Sequence, residues 1–167
     1  MVVEMGVTGL TLDPVTSTPI VILKDREGKN ALTIWIGLME ASSIAMELEK
    51  VQLPRPMTHD LIRNIFGMLK VKVTRVVVCD LKDNTFYAII HLISGAMELT
   101  IDARPSDAIA IALRAGAPIF VDEKVIEKSR RPDFEKMEGG EPDEARKKKW
   151  AELLDKMTPE EFGKYKH

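Results

Sequence analysis

Two short segments collect residue types that can act on a phosphate ester. One is Asp102-Ala103-Arg104-Pro105-Ser106-Asp107, running into Ala108-Ile109-Ala110-Ile111-Ala112-Leu113-Arg114. The other is Arg55-Pro56-Met57-Thr58-His59-Asp60-Leu61. Asp102 and Asp107 offer hard carboxylate oxygens, and Mg²⁺ typically takes one or two carboxylates plus substrate phosphates. Arg104 can grip a phosphate through two parallel N–H donors. Ser106 falls at a predicted helix start, where backbone N–H groups favour anions. His59 can carry a proton near neutral pH and could protonate a leaving oxygen. The set suits phosphodiester hydrolysis. Its catalytic candidates are His59, Asp102, Arg104 and Asp107, its substrate-binding candidates Arg55 and Ser106. A divalent cation such as Mg²⁺ is a possible cofactor.

The same residues also have an architectural explanation. Ser106 and Asp107 can cap a helix, Pro105 can fix the turn, and Arg104 can pair with Asp102. Thr58 is a good N-cap, and Asp60 suits a helix start. Neighbours on a helix point in different directions, so Asp60 is a poor orienter of His59. A carboxylate from Asp102 or Asp107 would serve better. His91 lies in the alternating run Ala88 to Ile93 and is expected to be a hydrogen-bonded strand residue.

Other elements must position these groups. Strands are expected at Val2 to Leu12, Thr18 to Leu23, Ala31 to Ile36, Val71 to Leu81, Thr85 to Ile93, Ala96 to Ile101 and Pro118 to Val121. Helices are expected at Glu40 to Lys50, Thr58 to Leu69, Ser106 to Ala115 and, as a turn or two, Glu123 to Lys128. On the second helix Leu61, Ile62, Ile65, Phe66 and Leu69 form an apolar stripe. Residues 131–142 read as a linker. Residues 143–167 read as a helical extension containing Trp150 and the capping box Thr158-Pro159-Glu160-Glu161.

Sliding the chain by 67 residues exposes a repeat between about 3–48 and 70–115. Asp13 falls on Asp80, Gly28 on Gly95, Leu32-Thr33-Ile34 on Leu99-Thr100-Ile101, Ala41 on Ala108 and Ile44-Ala45 on Ile111-Ala112. Both halves read strand, strand, strand, helix. The fold class is therefore α+β, with mixed or antiparallel strands, covering helices and pseudo-duplicated units. Glu40 falls on Asp107, an acid shared at the helix start and explained by the helix dipole. Asp102, Arg104 and Ser106 occur in the second copy only, which marks them for chemistry.

Composition narrows the classes. The 167 residues are 45% apolar and 30% charged, with a net charge of −2, which argues against a generally basic nucleic-acid protein. Basic clusters at Lys128-Ser129-Arg130-Arg131 and Arg146-Lys147-Lys148-Lys149 are interleaved with acids and suit a solvated face. Cys79 is the single cysteine, so no intrachain disulfide can form, and it is expected as a small buried hydrophobe. Met1 to Gly6 lacks a basic-then-apolar leader, and no apolar run approaches the length of a membrane span, so a cytoplasmic protein without membrane attachment is expected.

The Arg55–Leu61 and Asp102–Ile109 segments, together with Thr85-Phe86-Tyr87-Ala88, resemble the bifunctional nuclease family over about residues 1–130. The Arg104-Pro105-Ser106-Asp107-Ala108-Ile109-Ala110 string is highly specific. The resemblance implies an α+β core, nuclease activity on RNA, DNA or both, and self-association, for which a dimer through an exposed edge strand is the guess. It carries no catalytic residues with it. The alternative is a non-catalytic binding or assembly module in which both polar segments are structural.

Overall fold

The computed structural model describes residues 1–130; the predicted linker and helical extension lie outside them. Chain order is β1 (Val2–Leu12), β2 (Pro19–Asp25), β3 (Ala31–Trp35), α1 (Leu38–Leu48), α2 (Thr58–Met68), β4 (Val71–Lys82), β5 (Thr85–Ser94), β6 (Met97–Ala103), α3 (Pro105–Ala115), β7 (Ile119–Asp122) and α4 (Glu123–Ser129). The fold is α+β. One seven-stranded mixed sheet has the order β3-β2-β1-β7-β4-β5-β6. Every pairing is antiparallel except β4 with β7.

This order places one three-stranded meander on each side of β7. The offset seen in the sequence carries Leu38–Leu48 of α1 onto Pro105–Ala115 of α3 without a gap. These two helices pack on each other over the sheet. Small residues allow the approach: Ala41, Ser42 and Ala45 on α1, and Ala108 and Ala112 on α3, are all buried. The buried Ser42 hydroxyl is satisfied within its helix by Leu38 O at 2.8 Å. Gly116 closes α3 at φ 63°, a left-handed C-cap that suits glycine.

Alternation along the strands builds one core between sheet and helices. Val21, Leu23, Leu32, Ile34, Val76, Val78, Ala88 and Ile90 meet Ile44, Ile109 and Ile126 there. On α2 only part of the expected stripe reaches it. Ile62 and Phe66 pack on the core, while Leu61, Ile65 and Leu69 stay exposed. The helix start also differs from expectation. Met57 is the N-cap and Thr58 is already helical, and the Met57 N–H donates to Asp60 Oδ2 at 3.0 Å. Cys79 is half-buried rather than buried; its Sγ lies 3.6 Å from Tyr87 O, and burial pushes its thiol pKa up.

Candidate active site

Three helix starts converge over one end of the sheet. Arg104 is the N-cap of α3 and Asp107 sits in its first turn. Glu40 occupies the first turn of α1. His59 is the second residue of α2 and its only buried one. Arg104 joins the two acids: Nε donates to Asp107 Oδ2 at 2.7 Å and Nη2 meets Glu40 Oε1 at 2.7 Å. The other Asp107 oxygen, Oδ1, lies 2.9 Å from His59 Nε2. Behind the ring, His59 Nδ1 lies 2.7 Å from Ser43 Oγ of α1. The result is a continuous polar chain, Glu40–Arg104–Asp107–His59–Ser43, from an exposed guanidinium to a buried hydroxyl.

Protonation follows from the partners. Burial alone would raise the Asp107 pKa, but hydrogen bonds from Arg104 and His59 outweigh it and hold the carboxyl below its ordinary value. The hydrogen bonds to Asp107 and Glu40 raise the Arg104 pKa in turn. An ionised Asp107 only accepts, so in the neutral ring the proton sits on Nε2 and Nδ1 accepts from the Ser43 hydroxyl. Both ring nitrogens are thus engaged inside the protein. His59 touches the reaction space through Asp107 rather than directly.

Arg114 anchors this arrangement from below. Its buried guanidinium makes three contacts. Nε donates to Asp60 Oδ1 at 2.6 Å, Nη2 to Ser43 O at 3.0 Å and Nη1 to Ala110 O at 3.1 Å. Ser43 and Ala110 are 67 apart, as are Glu40 and Asp107. Each of the two arginines therefore straddles a pair of positions that the offset makes equivalent. Burial would raise the Asp60 pKa, but Arg114 and the Met57 N–H overcome it and lower it.

Asp60 and Asp107, both with depressed folded values, contribute stability that is complete above their unfolded pKa of 3.8. That stability is lost as pH falls through the lower folded values. Urea titrations should therefore show unfolding free energy falling below about pH 4, with a shallower fall in Asp60→Asn. A slope unchanged by that substitution would contradict the assignment.

The remaining candidates fall elsewhere. Asp102 does not join Asp107. Ala103 faces the core, so alternation turns Asp102 to the opposite sheet face, on the side of Cys79. Among the described residues Asp102 makes no ion pair, and the predicted Arg104–Asp102 bridge is replaced by Arg104 with Asp107 and Glu40. The Asp102–Asp107 pair thus does not form the cation site expected of it, and among the described residues no three His, Cys, Asp or Glu side chains cluster as ligands. Ser106 is buried in the first turn of α3 rather than presented to solvent. Arg55 is exposed on the linker between α1 and α2. His91 is part-buried beside Arg75, and burial followed by that charge lowers its pKa. Of the first basic cluster, Lys128 Nζ binds Asp80 at 3.0 Å and Arg130 binds Asn30 at 3.0 Å, so both are engaged locally.

Ser43, Glu40 and Arg114 enter the site without having been singled out for it. Ser43 was findable: the offset aligns it with Ala110, so it is polar in one copy only, the criterion that marked Arg104. Arg114 follows Asp107 by seven residues, two helical turns, and so shares its face.

With this geometry in place, comparison with known proteins places the chain. A family model described as the bifunctional nuclease domain matches residues 21–133. The chain belongs to the bifunctional nuclease domain family. It is 38% identical over 164 residues to an uncharacterized protein of Mycobacterium tuberculosis, covering 95% of this chain and 97% of that one. It is 27% identical over 110 residues to bifunctional nuclease 1 of Oryza sativa subsp. japonica, covering 63% of this chain and 33% of that protein. Among the described residues no helix is long and apolar enough to cross a membrane.

Proposed function

We propose that this protein is a nuclease that hydrolyses phosphodiester bonds in RNA, DNA or both. The observation that carries the reading is Arg104: an exposed guanidinium held by two carboxylates, Glu40 and Asp107, with donors left for a phosphate. Holding the fork in place removes much of the entropy cost of phosphate binding. Asp107, ionised and partly open, orients the attacking water with its remaining lone pairs. His59 and Ser43 fix the orientation of that carboxylate; Asp107 takes the proton the water loses as its oxygen bonds phosphorus, and the bond to the leaving oxygen breaks, that oxygen taking a proton from solvent. Family membership and the rice relative's name support the same class. Arg55 is proposed to contact substrate from the exposed linker.

One feature favours the alternative, a non-catalytic binding or assembly module. Arg104 and Arg114 both cross-link α1 to α3, which is what a structural seam requires. Binding separates the two. Arg104→Gln should weaken binding of labelled single-stranded RNA or DNA about tenfold at low salt and reduce the salt slope by about one, as for loss of one phosphate contact. Anisotropy titrations with affinity and slope both unchanged would leave Arg104 as architecture.

A further inference from the structure

The room left beside Glu40 decides how Arg104 is held. The offset of 67 carries Gly37 onto Arg104. Both residues are N-caps with the same extended backbone, φ −70° and ψ 157° at Gly37 against φ −68° and ψ 144° at Arg104. Each carbonyl accepts the first bond of its helix, from Ala41 N at 2.9 Å and from Ala108 N at 3.0 Å. Equivalent backbones thus carry a long guanidinium at one helix start and no side chain at the other.

Backbone conformation does not call for glycine at position 37, because ordinary L residues adopt that φ and ψ. Helix capping does not call for it either, since Ser, Thr, Asp and Asn cap at least as well. Space does. A Cβ added to Gly37 would overlap Glu40 Oε2 and lie 3.1 Å from Cδ and 3.6 Å from Oε1. At the other described glycines an added Cβ meets nothing within 4 Å. Glu40, in the first turn of α1, folds its side chain back over the N-cap, where the helix dipole favours an acid. One carboxylate oxygen fills the place of the missing Cβ. The other, Oε1, receives Arg104 Nη2 at 2.7 Å. A carboxylate is rigid, so whatever moves Oε2 also moves Oε1.

On the reading of Arg104 as the nuclease's phosphate grip, on which this rests, we infer that Gly37 is a positioning residue. By carrying no side chain it seats the Glu40 carboxylate that aims the Arg104 guanidinium. The three atoms nearest an added Cβ all belong to the end of one flexible side chain. The collision is therefore relieved by swinging Glu40 aside, not by distorting α1. Arg104 then keeps Asp107 through Nε at 2.7 Å but loses its second anchor. The freed fork must be ordered again on each phosphate it binds, at a cost of about two- to tenfold in affinity, the scale for immobilising one long side chain. The repeat yields one such grip, because the second copy supplies the arginine and the first supplies the room.

Gly37→Ala and Gly37→Ser in the full chain test this, the serine variant keeping a good N-cap. Without nucleic acid, the ¹⁵Nε–Hε order parameter of Arg104, assigned by its loss in Arg104→Gln, reports how tightly the fork is held. It should fall in both variants to the value of Glu40→Ala. Gly37→Ala should add nothing in the Glu40→Ala background, and circular dichroism spectra should be unchanged throughout. Affinity for a labelled single-stranded oligonucleotide should fall about two- to tenfold in the same two variants. An unchanged order parameter, or a fall that Gly37→Ala repeats in the Glu40→Ala background, would overturn the inference. A lower order parameter with full oligonucleotide affinity would overturn its part in substrate binding. A wild type that binds no oligonucleotide while its order parameter responds as expected would count against the nuclease reading and leave the positioning of Arg104 standing.

Discussion

Arg114→Leu is expected to lower the unfolding free energy by about 3–5 kcal/mol, the range for removing one partner of a buried ion pair. The guanidinium is buried and its removal leaves the Asp60 carboxylate without its cation and takes one donor from Ser43 O. Three elements loosen together, because Arg114 ties α3 to the first turn of α2 and to the middle of α1. Arg114→Lys should restore only part of the loss, since a single ammonium cannot reach three acceptors spread over a planar fork. Adding Asp60→Asn to Arg114→Leu should recover part of the cost, because the stranded charge is gone. Urea titration at neutral pH reads all four proteins. A cost below about 1 kcal/mol for Arg114→Leu, the level of an exposed pair, would show that the network does not hold the helices in place.

The second large effect concerns activity. Asp107→Asn is expected to reduce nucleic-acid cleavage roughly a hundredfold or more, the scale of a lost acid–base group. Asparagine keeps the shape of the side chain but not its charge. It cannot accept from Arg104 and His59 as an anion, and it cannot take a proton from water. Glu40→Gln should cost less, because Asp107 still holds Arg104 by its Nε. His59→Ala should fall between them, since it acts on the reacting centre through Asp107. Near-neutral circular dichroism and urea midpoints for each variant separate lost chemistry from lost folding.

Much of the fold was legible because local signals agreed with one another. Turn residues, periodicity and the offset of 67 together mark the seven strands and four helices of the described residues, and the offset lands α1 on α3. The departures have physical causes. Thr58 has the chemistry of an N-cap, yet Asp60 caps from inside the helix, so the boundary lies one residue earlier. Leu61, Ile65 and Leu69 follow helical spacing, but the core accommodates only Ile62 and Phe66 from that helix. Within the site, the company of His59, Arg104 and Asp107 was anticipated from residue type and helix starts. The exclusion of Asp102 follows from strand alternation beside Ala103. The pairing of Arg104 with Glu40 is a tertiary fact: it depends on how closely two small-residue helices approach, which no local pattern encodes. Arg114 and Ser43 belong to the same class, being polar groups whose partners lie on other elements.

The most direct measurement follows hydrolysis of labelled single-stranded RNA and DNA across the elution profile of wild type and Asp107→Asn, purified identically. Activity is expected to rise and fall with the wild-type protein peak and to drop at least about a hundredfold in the variant. Equal activity in both preparations, or activity that separates from the protein peak, would contradict it.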